Sequence, residues 1–284
     1  MGGGSYIFDR AAARSYNYQS QSREQIFSNR TIDPLMVIKD KIRESCDSEE
    51  HPKSSPIIIG LDVTGSMGRV PENLIKEAFP EIMKTVMDQG VEHAQICFVG
   101  IGDHYSDEAP IQVGQFETSD ELTEKWLKAI FIEGGGGGNN GESYQLAWYF
   151  AAFHTKTDAF EKRKIKGTLI TIGDEPCHSS VSGKVLKKLF GEGEGEVLTS
   201  QLLKEVQKRW DVYHINVNDW ASEQYGSPRK WEDLLGDHLL LSESMESKEI
   251  GGILSTVLVH SYKKNNQVAS GIASTGSNDG PHML

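Results

Sequence analysis

The stretch I-I-I-G-L-D-V-T-G-S-M-G, residues 57–68, joins a short apolar run to a loop of small and oxygen-bearing residues. The run is rich in β-branched side chains and too short to cross a membrane, which is typical of a buried strand. It stops at Asp62, and a helical pattern begins after Gly68. A buried parallel strand followed by a helix places the intervening loop at the carboxyl edge of a sheet, where open α/β folds bind ligands.

Three residues of this loop, Asp62, Thr64 and Ser66, carry oxygen atoms at alternate positions. One carboxylate and two hydroxyls on a tight loop can converge on a hard cation such as Mg²⁺, which prefers oxygen ligands. The D-x-T-x-S pattern resembles the metal-ion-dependent adhesion site of von Willebrand factor A domains, usually written D-x-S-x-S. For these three residues alone, a polar strand-to-helix turn is the alternative interpretation.

Strand and helix patterns alternate along the rest of the chain. Helical spacing separates most of the strands, which is typical of a mostly parallel sheet covered by helices on both faces. One strand follows its predecessor through a loop, so we expect it to be an antiparallel edge strand with one half-exposed face. We predict a three-layer, doubly wound α/β fold with a six-stranded sheet, as the resemblance also implies. The strands are predicted near residues 57–62, 94–102, 111–116 (the edge strand), 167–173, 212–217 and 238–241.

The sequence divides into three parts. Residues 1–54 are predicted to be an arm and linker that is mobile or weakly docked, with a short helix at 34–43 capped by Asp33. Residues 55–262 are expected to form the von Willebrand-like domain. Residues 263–284 contain little that can be buried, so we expect them to be disordered.

Composition argues against several classes of protein. The formal net charge of the 284 residues is −12, whereas a non-specific nucleic-acid binder needs a basic face. The three cysteines form no C-x-x-C pair, so neither a zinc motif nor a disulfide framework is indicated. The start of the chain lacks the pattern of a signal peptide, and no apolar run is long enough to span a membrane. We therefore expect a cytoplasmic protein without membrane insertion.

A second aspartate, Asp174, ends the strand predicted at 167–173. The resemblance implies that Asp174 orients the ion directly or through water, as the family's second aspartate does. For Asp174 alone, a helix N-cap is the alternative. Because its strand can neighbour the strand that ends at Asp62, both carboxylates can face one cation.

The glycine-rich loop at 134–144, G-G-G-G-G-N-N-G-E-S-Y, departs from the family pattern, which commonly supplies a threonine there. Glu142 is the first candidate for the missing ligand and Asn139 the second, because glycines allow the backbone to bring either inward. Asn140 and Ser143 are further oxygen donors, and Ser143 could equally cap the following helix.

A rim of polar residues is expected beside this site. Asp103, His104 and Tyr105 follow the second strand, and His178 follows Asp174 by four residues. We expect this rim to contact a partner, with ordinary loop polarity as the alternative. Zinc binding by His104 and His178 has weak support, because the two histidines form no spacing motif.

The resemblance implies a protein-binding adaptor or scaffold that is not an enzyme. Its Mg²⁺ (or Mn²⁺ or Ca²⁺) would bind an acidic side chain of a partner protein, and cytoplasmic bacterial relatives often work beside AAA+ ATPases. A Mg²⁺-dependent phosphoester or phosphoryl hydrolase using Asp62 and Asp174 is one alternative. A structural protein that oligomerises through its N-terminal arm is another. The sequence does not decide the oligomeric state.

Overall fold

A six-stranded β-sheet forms the centre of the structure, a computed structural model that describes residues 4–65, 67–134, 141–218 and 220–275. The strands are β1 (Arg43–Ser45), β2 (Ser55–Asp62), β3 (Ala94–Ile101), β4 (Ile111–Val113), β5 (Thr155–Thr157), β6 (Gly167–Gly173), β7 (Ser180–Ser182), β8 (Glu196–Leu198), β9 (Trp210–Val217) and β10 (Leu239–Ser242). The helices are α1 (Phe8–Tyr18), α2 (Arg23–Ile26), α3 (Arg69–Asn73), α4 (Phe79–Asp88), α5 (Asp120–Lys128), α6 (Tyr144–Phe153), α7 (Asp158–Arg163), α8 (Gly183–Phe190), α9 (Thr199–Val206), α10 (Trp220–Tyr225), α11 (Ser227–Leu235) and α12 (Ser247–Thr275).

The central sheet has the strand order β10-β9-β6-β2-β3-β4. Strand β4 is antiparallel to β3, and all the other neighbours in this sheet are parallel. The predicted α/β fold class, with one antiparallel edge strand in a six-stranded sheet, is confirmed. Two small sheets, β1 with β5 and β7 with β8, lie outside the central one and were not predicted.

Strand β2 is buried on both faces because helices cover the sheet on both sides. Ile57, Ile59 and Leu61 pack into one core with α3, α4 and α12. Ile58 points to the opposite face and packs into a second core with α6, α9 and α11. Side chains alternate across a strand, so a continuous apolar run is what a strand between two helix layers requires.

The edge strand β4 is buried along its whole length, so the prediction of a half-exposed strand is wrong. A preceding segment of the chain covers its outer edge: the amide of Val113 donates to the carbonyl of Met36 at 2.9 Å. The guanidinium of Arg43 donates to the carbonyl of Val113 at 3.0 Å. Covering an edge in this way satisfies backbone groups that would otherwise be open to pairing with another chain.

The short helix predicted at 34–43 is absent. The carboxylate of Asp33 accepts a hydrogen bond from the amide of Leu35 at 2.8 Å, which forms a turn instead of a helix cap. In this segment Ile38 is buried, whereas Ile42 is 52% exposed. The predicted helix is absent because of a tertiary contact. The backbone carbonyl of Met36 accepts from β4, so it is not available for a hydrogen bond within a helix.

The N-terminal segment is helical and packs on the domain. Tyr18 at the end of α1 is buried in the core, and Ser15 donates to the carbonyl of Ile75 at 3.0 Å. Arg14 bonds to Asp120 and to Glu124 on α5, each at 2.6 Å. The segment therefore forms part of one helix layer and differs from the mobile or weakly docked arm expected from the sequence.

Pro80 lies close to a change of hydrogen bonding in the helical segment that follows Gly68. A π-helical turn, Leu74–Ala78, joins α3 to α4, and Pro80 occupies the first turn of α4. A proline is tolerated there because the first amides of a helix have no partner within it.

The last helix, α12, is longer than expected. It continues to Thr275, beyond residue 263 where disorder was predicted to begin, and Asn265 bonds to the carbonyl of Lys166 at 3.4 Å. Residues 276–284 lie outside the described part of the chain. Of the helices in the described ranges, none combines the length and apolarity that a membrane crossing requires.

Candidate functional site

Three adjacent strands, β6, β2 and β3, end at the same edge of the sheet, which we call the carboxyl edge. Asp62 is the last residue of β2, Asp174 directly follows β6, and Asp103 follows β3 after Gly102. All three aspartates are fully buried. Parallel pairing thus brings together carboxylates that are far apart in the sequence.

Asp62 is held by hydrogen bonds to both of its carboxylate oxygens. Its Oδ1 accepts from the backbone amide of Thr64 at 2.9 Å and from the Thr64 hydroxyl at 2.6 Å. Its Oδ2 accepts from the hydroxyl of Tyr144 at 2.5 Å. The local turn and the start of α6 therefore hold this carboxylate in one orientation.

Tyr144 was missed as a site residue in the sequence interpretation. Its hydroxyl reaches Asp62 only because Gly173 has no side chain: a Cβ at position 173 would lie 1.8 Å from that hydroxyl. The signals in the sequence were a glycine ending a buried strand and an aromatic residue opening a helix. Neither signal names its partner, because the contact joins separate parts of the chain.

Glu142 is placed by a bridge between two loops. Its amide donates to the carbonyl of Pro176 at 2.9 Å, and its own carbonyl accepts from the amide of His178 at 3.3 Å. Its side chain is 2% exposed. From the residues that the structure describes, the buried Oε2 atom of Glu142 accepts no hydrogen bond.

The electrostatic field around these carboxylates is strongly negative. Burial raises the pKa of Glu142 far above the ordinary value, and the charges of Asp62 and Asp103 raise it further. Burial also raises the pKa of Asp62, and the hydrogen bonds from Thr64 and Tyr144 oppose that rise. Burial and the nearby charges of Asp62, Asp174 and Glu142 raise the pKa of Tyr144, so its hydroxyl stays protonated and donates.

Four residues at this edge, which we call the Asp62 cluster, carry the kind of donor atoms that suit a hard divalent cation: Asp62, Thr64, Glu142 and Asp174. Buried carboxylates are costly unless a positive charge or hydrogen bonds compensate them. The five largest influences on the pKa of Glu142 are burial and four carboxylates, all of which raise it. Carboxylate and hydroxyl oxygens are the ligands that Mg²⁺, Mn²⁺ and Ca²⁺ prefer.

A second group, which we call the histidine cluster, consists of Asp103, His104 and His178. The Nε2 atom of His178 lies 2.8 Å from Oδ1 of Asp103, and the Nδ1 atom of His104 lies 3.8 Å from the same oxygen. Burial lowers the pKa of His104, and the neighbouring His178 lowers it further. Tyr105, which is 70% exposed, lies over both histidine rings at centroid distances of 4.0 and 5.0 Å.

Most of the predicted site residues lie at the carboxyl edge. The Asp62 cluster and the histidine cluster share this edge, and Ser143 connects them, because it follows Glu142 and its hydroxyl lies 2.7 Å from Nδ1 of His104. Ser143 precedes α6 but makes no side-chain cap there. Two predicted ligands, Ser66 and Asn139, lie outside the described residues.

Comparisons with known proteins give structural likenesses at low sequence identity. No protein-family model matches the sequence, and no curated protein matches it. The pilus adhesin SpaC from Lactobacillus rhamnosus GG, in its open conformation, aligns with a TM-score of 0.48 and 9% identity over 80% of this chain and 31% of that one. Proximal thread matrix protein 1 from the mussel byssus aligns with a TM-score of 0.45 and 12% identity, over 75% of this chain and 48% of that one.

A von Willebrand factor type A structure from Catenulispora acidiphila aligns with a TM-score of 0.42 and 12% identity, over 74% of this chain and 43% of that one. The chain spans less than half the length of each of these structures. At such scores and identities, family and function have to be argued from the residues of this chain.

Proposed function

We propose that this protein is a protein-binding module whose binding depends on a divalent cation, Mg²⁺ by preference, held by the Asp62 cluster. The observation that carries the proposal is the burial of Asp62, Glu142 and Asp174, three carboxyl groups, together with the hydroxyl of Thr64, which bonds to Asp62. The D-x-T-x-S resemblance supports it, and Ser66 would add a further hydroxyl ligand. Asn139 is kept as a second candidate from the glycine-rich loop.

The residues of the cluster have separate roles in this proposal. Thr64 donates its proton to Asp62, which leaves its oxygen lone pairs for the ion. Thr64 makes two hydrogen bonds to Oδ1 of Asp62 and Tyr144 makes one to Oδ2, so Oδ2 keeps a lone pair for the ion. Glu142 and Asp174 supply further negative oxygens, and the bound ion would supply an electrophilic position for one outside ligand.

The outside ligand would be an aspartate or glutamate of a partner protein. An anionic oxygen is the natural ligand for a hard cation with open positions. Of the rim residues expected from the sequence, Tyr105 is exposed, whereas the side chains of Asp103 and His104 are buried and cannot contact a partner. Tyr105 would therefore form the rim of the docking surface, with the less exposed His178 beside it. An AAA+ ATPase as the partner rests on the sequence resemblance alone.

Binding is favoured over hydrolysis by the charges at the site. Phosphoryl transfer needs positive groups on the transferring oxygens. Besides burial, the strongest effects on the pKa of Glu142 come from four acidic residues: Asp62, Asp103, Glu175 and Asp107. The one basic residue close to the first loop in sequence, Arg69, is exposed.

The proposal is tested by capturing partners from the native host with the full-length chain, in Mg²⁺ and in chelator. We expect a partner that is retained in Mg²⁺, released by chelator and lost with Asp62→Ala. A matched control is Asp88→Ala, which removes an exposed aspartate from the end of α4, on a different part of the domain. A partner that binds equally in chelator and to Asp62→Ala would show that recognition uses another face.

The chemistry of the partner is tested next. Replacing the acidic residue of the captured partner by its amide is expected to weaken binding as strongly as Thr64→Ala does. Because both changes act on one contact, we expect the double change to cost far less than the sum of the single changes.

A further inference from the structure

We propose that Asp103, His104 and His178 bind a second divalent ion, of the transition-metal class represented by Zn²⁺, beside the oxygen-only site of the Asp62 cluster. The inference goes beyond the proposed function, since it concerns different metal ligands, a different kind of ion and a separate measurement.

The three side chains already lie at distances that suit one ion. Their ligand atoms are all within 4.8 Å of one another. With bonds of about 2.0–2.1 Å in tetrahedral geometry, the ligand atoms of a zinc site are about 3.3 Å apart. The measured separations from Asp103 Oδ1, 2.8 Å to His178 and 3.8 Å to His104, lie on either side of this value. Small movements of the side chains would therefore complete the site.

Neighbouring groups orient these ligands. The backbone amide of His104 donates to the hydroxyl of Ser143 at 2.9 Å. The same hydroxyl lies 2.7 Å from Nδ1 of His104, and an ion bound at Nδ1 would replace this second contact. His178 packs so closely on Gly141 that a Cβ there would lie 3.0 Å from its Nδ1 atom. The amide of Asp103 donates to Asp107 at 2.7 Å. Such supporting contacts are typical of metal ligands, whose orientation is set by their surroundings.

The donor atoms select a different ion from the one proposed for the Asp62 cluster. Imidazole nitrogens suit Zn²⁺ and related transition metals, whereas Mg²⁺ and Ca²⁺ take oxygen ligands. Two histidines and one carboxylate supply three protein ligands, which leaves a position for water or for a group of a partner. The two sites would therefore share an edge of the sheet without competing for one ion.

A second cation would also balance the charge at this edge. Four buried carboxyl groups, those of Asp62, Asp103, Glu142 and Asp174, carry four negative charges when all are ionised. One divalent ion leaves two of these charges uncompensated, and that excess would repel an acidic partner. Two divalent ions neutralise all four.

A catalytic triad is the other chemistry that these residue types suggest, and the geometry opposes it. In a triad, the carboxylate and the nucleophile contact opposite nitrogens of the histidine. Here Ser143 and Asp103 both approach the same Nδ1 atom of His104, and Ser143 is fully buried.

The test uses Co²⁺ as a spectroscopic substitute for Zn²⁺, added to the full-length, metal-free chain in millimolar Mg²⁺. We expect one Co²⁺ per chain, with visible absorption that Zn²⁺ removes. His178→Gln keeps a donor towards Asp103 but lacks the imidazole, and we expect it to weaken Co²⁺ binding about tenfold or more. His260→Ala, a change at an exposed histidine of α12, is expected to leave Co²⁺ binding unchanged. Asp62→Ala, which removes a nearby charge but no proposed Co²⁺ ligand, is expected to weaken Co²⁺ binding less than His178→Gln does.

Two results would overturn the inference: no Co²⁺ binding by the wild type in Mg²⁺, or equal binding by the wild type and His178→Gln. Loss of Co²⁺ with Asp62→Ala but not with His178→Gln would place the ion in the Asp62 cluster and also overturn it. Circular dichroism checks that each variant is folded. If His178→Gln does not fold, His104→Gln replaces it as the variant that is expected to weaken Co²⁺ binding. A separate measurement of stabilisation by Mg²⁺ tests the Asp62 cluster, so failure of the proposed Mg²⁺ site can be distinguished from failure of the site in the histidine cluster.

Discussion

The hydroxyl of Tyr144 donates to Oδ2 of Asp62 at 2.5 Å, across 82 positions of sequence. This bond ties the start of α6 to the end of β2 and fixes a buried carboxylate at the carboxyl edge. It depends on a third residue, because the missing side chain of Gly173 makes room for the tyrosine ring. Each of the three residues can be changed separately.

Tyr144→Phe removes the donor and leaves the ring in place. We expect it to lower the free energy of unfolding by about 1–3 kcal/mol, because a buried acceptor loses its partner. Urea unfolding in chelator measures the difference. An unchanged midpoint and slope would show that the hydrogen bond contributes nothing to stability.

Gly173→Ala is expected to cost about 3 kcal/mol or more, because its Cβ would overlap the tyrosine hydroxyl, which cannot move without breaking the bond to Asp62. The matched control is Gly252→Ala on α12, where a Cβ would meet no atom within 4 Å. That change is expected to raise stability by up to about 1 kcal/mol, since alanine favours a helix over glycine. Equal effects of the two changes would contradict the close approach at Gly173.

Mg²⁺ is expected to stabilise the folded chain, because the ion binds the assembled Asp62 cluster and not the unfolded chain. At a concentration about 100 times the Kd the gain is about 2.7 kcal/mol. Thermal unfolding of the wild type, Asp62→Ala and Glu142→Gln, with Mg²⁺ and with chelator, measures it. We expect the gain to fall sharply in both variants and to persist in Asp88→Ala. A wild type that melts identically in both conditions would contradict the site.

In the metal-free chain, Asp62 and Glu142 are expected to contribute less and less stability as the pH rises from 5 to 8, whereas the lowered pKa values of His104 and His214 act in the opposite direction. The folded-state pKa values of Asp62 and Glu142 are raised, so these groups bind protons more tightly in the folded chain than in the unfolded one. Their contribution is complete below the unfolded pKa, about 4, and is lost as the pH rises through the folded values.

Comparison with Glu142→Gln isolates the contribution of Glu142, because the other titrating groups are the same in both proteins. In chelator, we expect the variant to be more stable than the wild type at pH 8 and similar to it at pH 5. Urea unfolding across this range tests the sign. Parallel pH curves for the two proteins would show that Glu142 is not a buried, uncompensated carboxyl group in solution.

The N-terminal segment is expected to be needed for full stability. The sequence pattern predicts that a chain of residues 25–264 folds like the full chain, whereas the packing of Tyr18 and of α1 now predicts a lower melting temperature for that chain. Arg14→Ala is expected to cost about 1–3 kcal/mol, because it removes a partner from Asp120, whose side chain is fully buried.

Lys156→Ala is the control for the arginine, since Lys156 pairs with Glu44 at 4.0 Å and both side chains are largely exposed. We expect it to change stability by less than about 1 kcal/mol. Thermal melts of the shortened chain and of both variants test the prediction. A shortened chain as stable as the full one would show that α1 contributes little.

Local patterns were sufficient for the class of fold. The apolar runs of β2, β3, β6 and β9 are continuous because helices cover both faces of the sheet. Each of these strands therefore shows the pattern in its own sequence. The loop after β2 carries its chemistry locally as well, since Thr64 bonds to Asp62 two residues away. The position of Asp174 directly after a buried strand was also predicted from the local pattern.

Other features depended on contacts that no local pattern contains. The segment around Met36 covers the edge of β4 instead of forming a helix, because Val113, far along the chain, offers it a backbone donor. The role of Tyr144 required the space left by Gly173.

The sequence alone therefore determined where the buried strands β2, β3, β6 and β9 lie and roughly where they end, because burial between two layers constrains each of these strands by itself. Only the tertiary structure decided which of these ends meet, and it did so through parallel pairing in the order β6-β2-β3. That pairing gathers Asp62, Asp103 and Asp174 at one edge, and the loop bridge at Glu142 adds a fourth carboxyl group. Their proximity results from the packing of distant segments, so it cannot be read from any one of them.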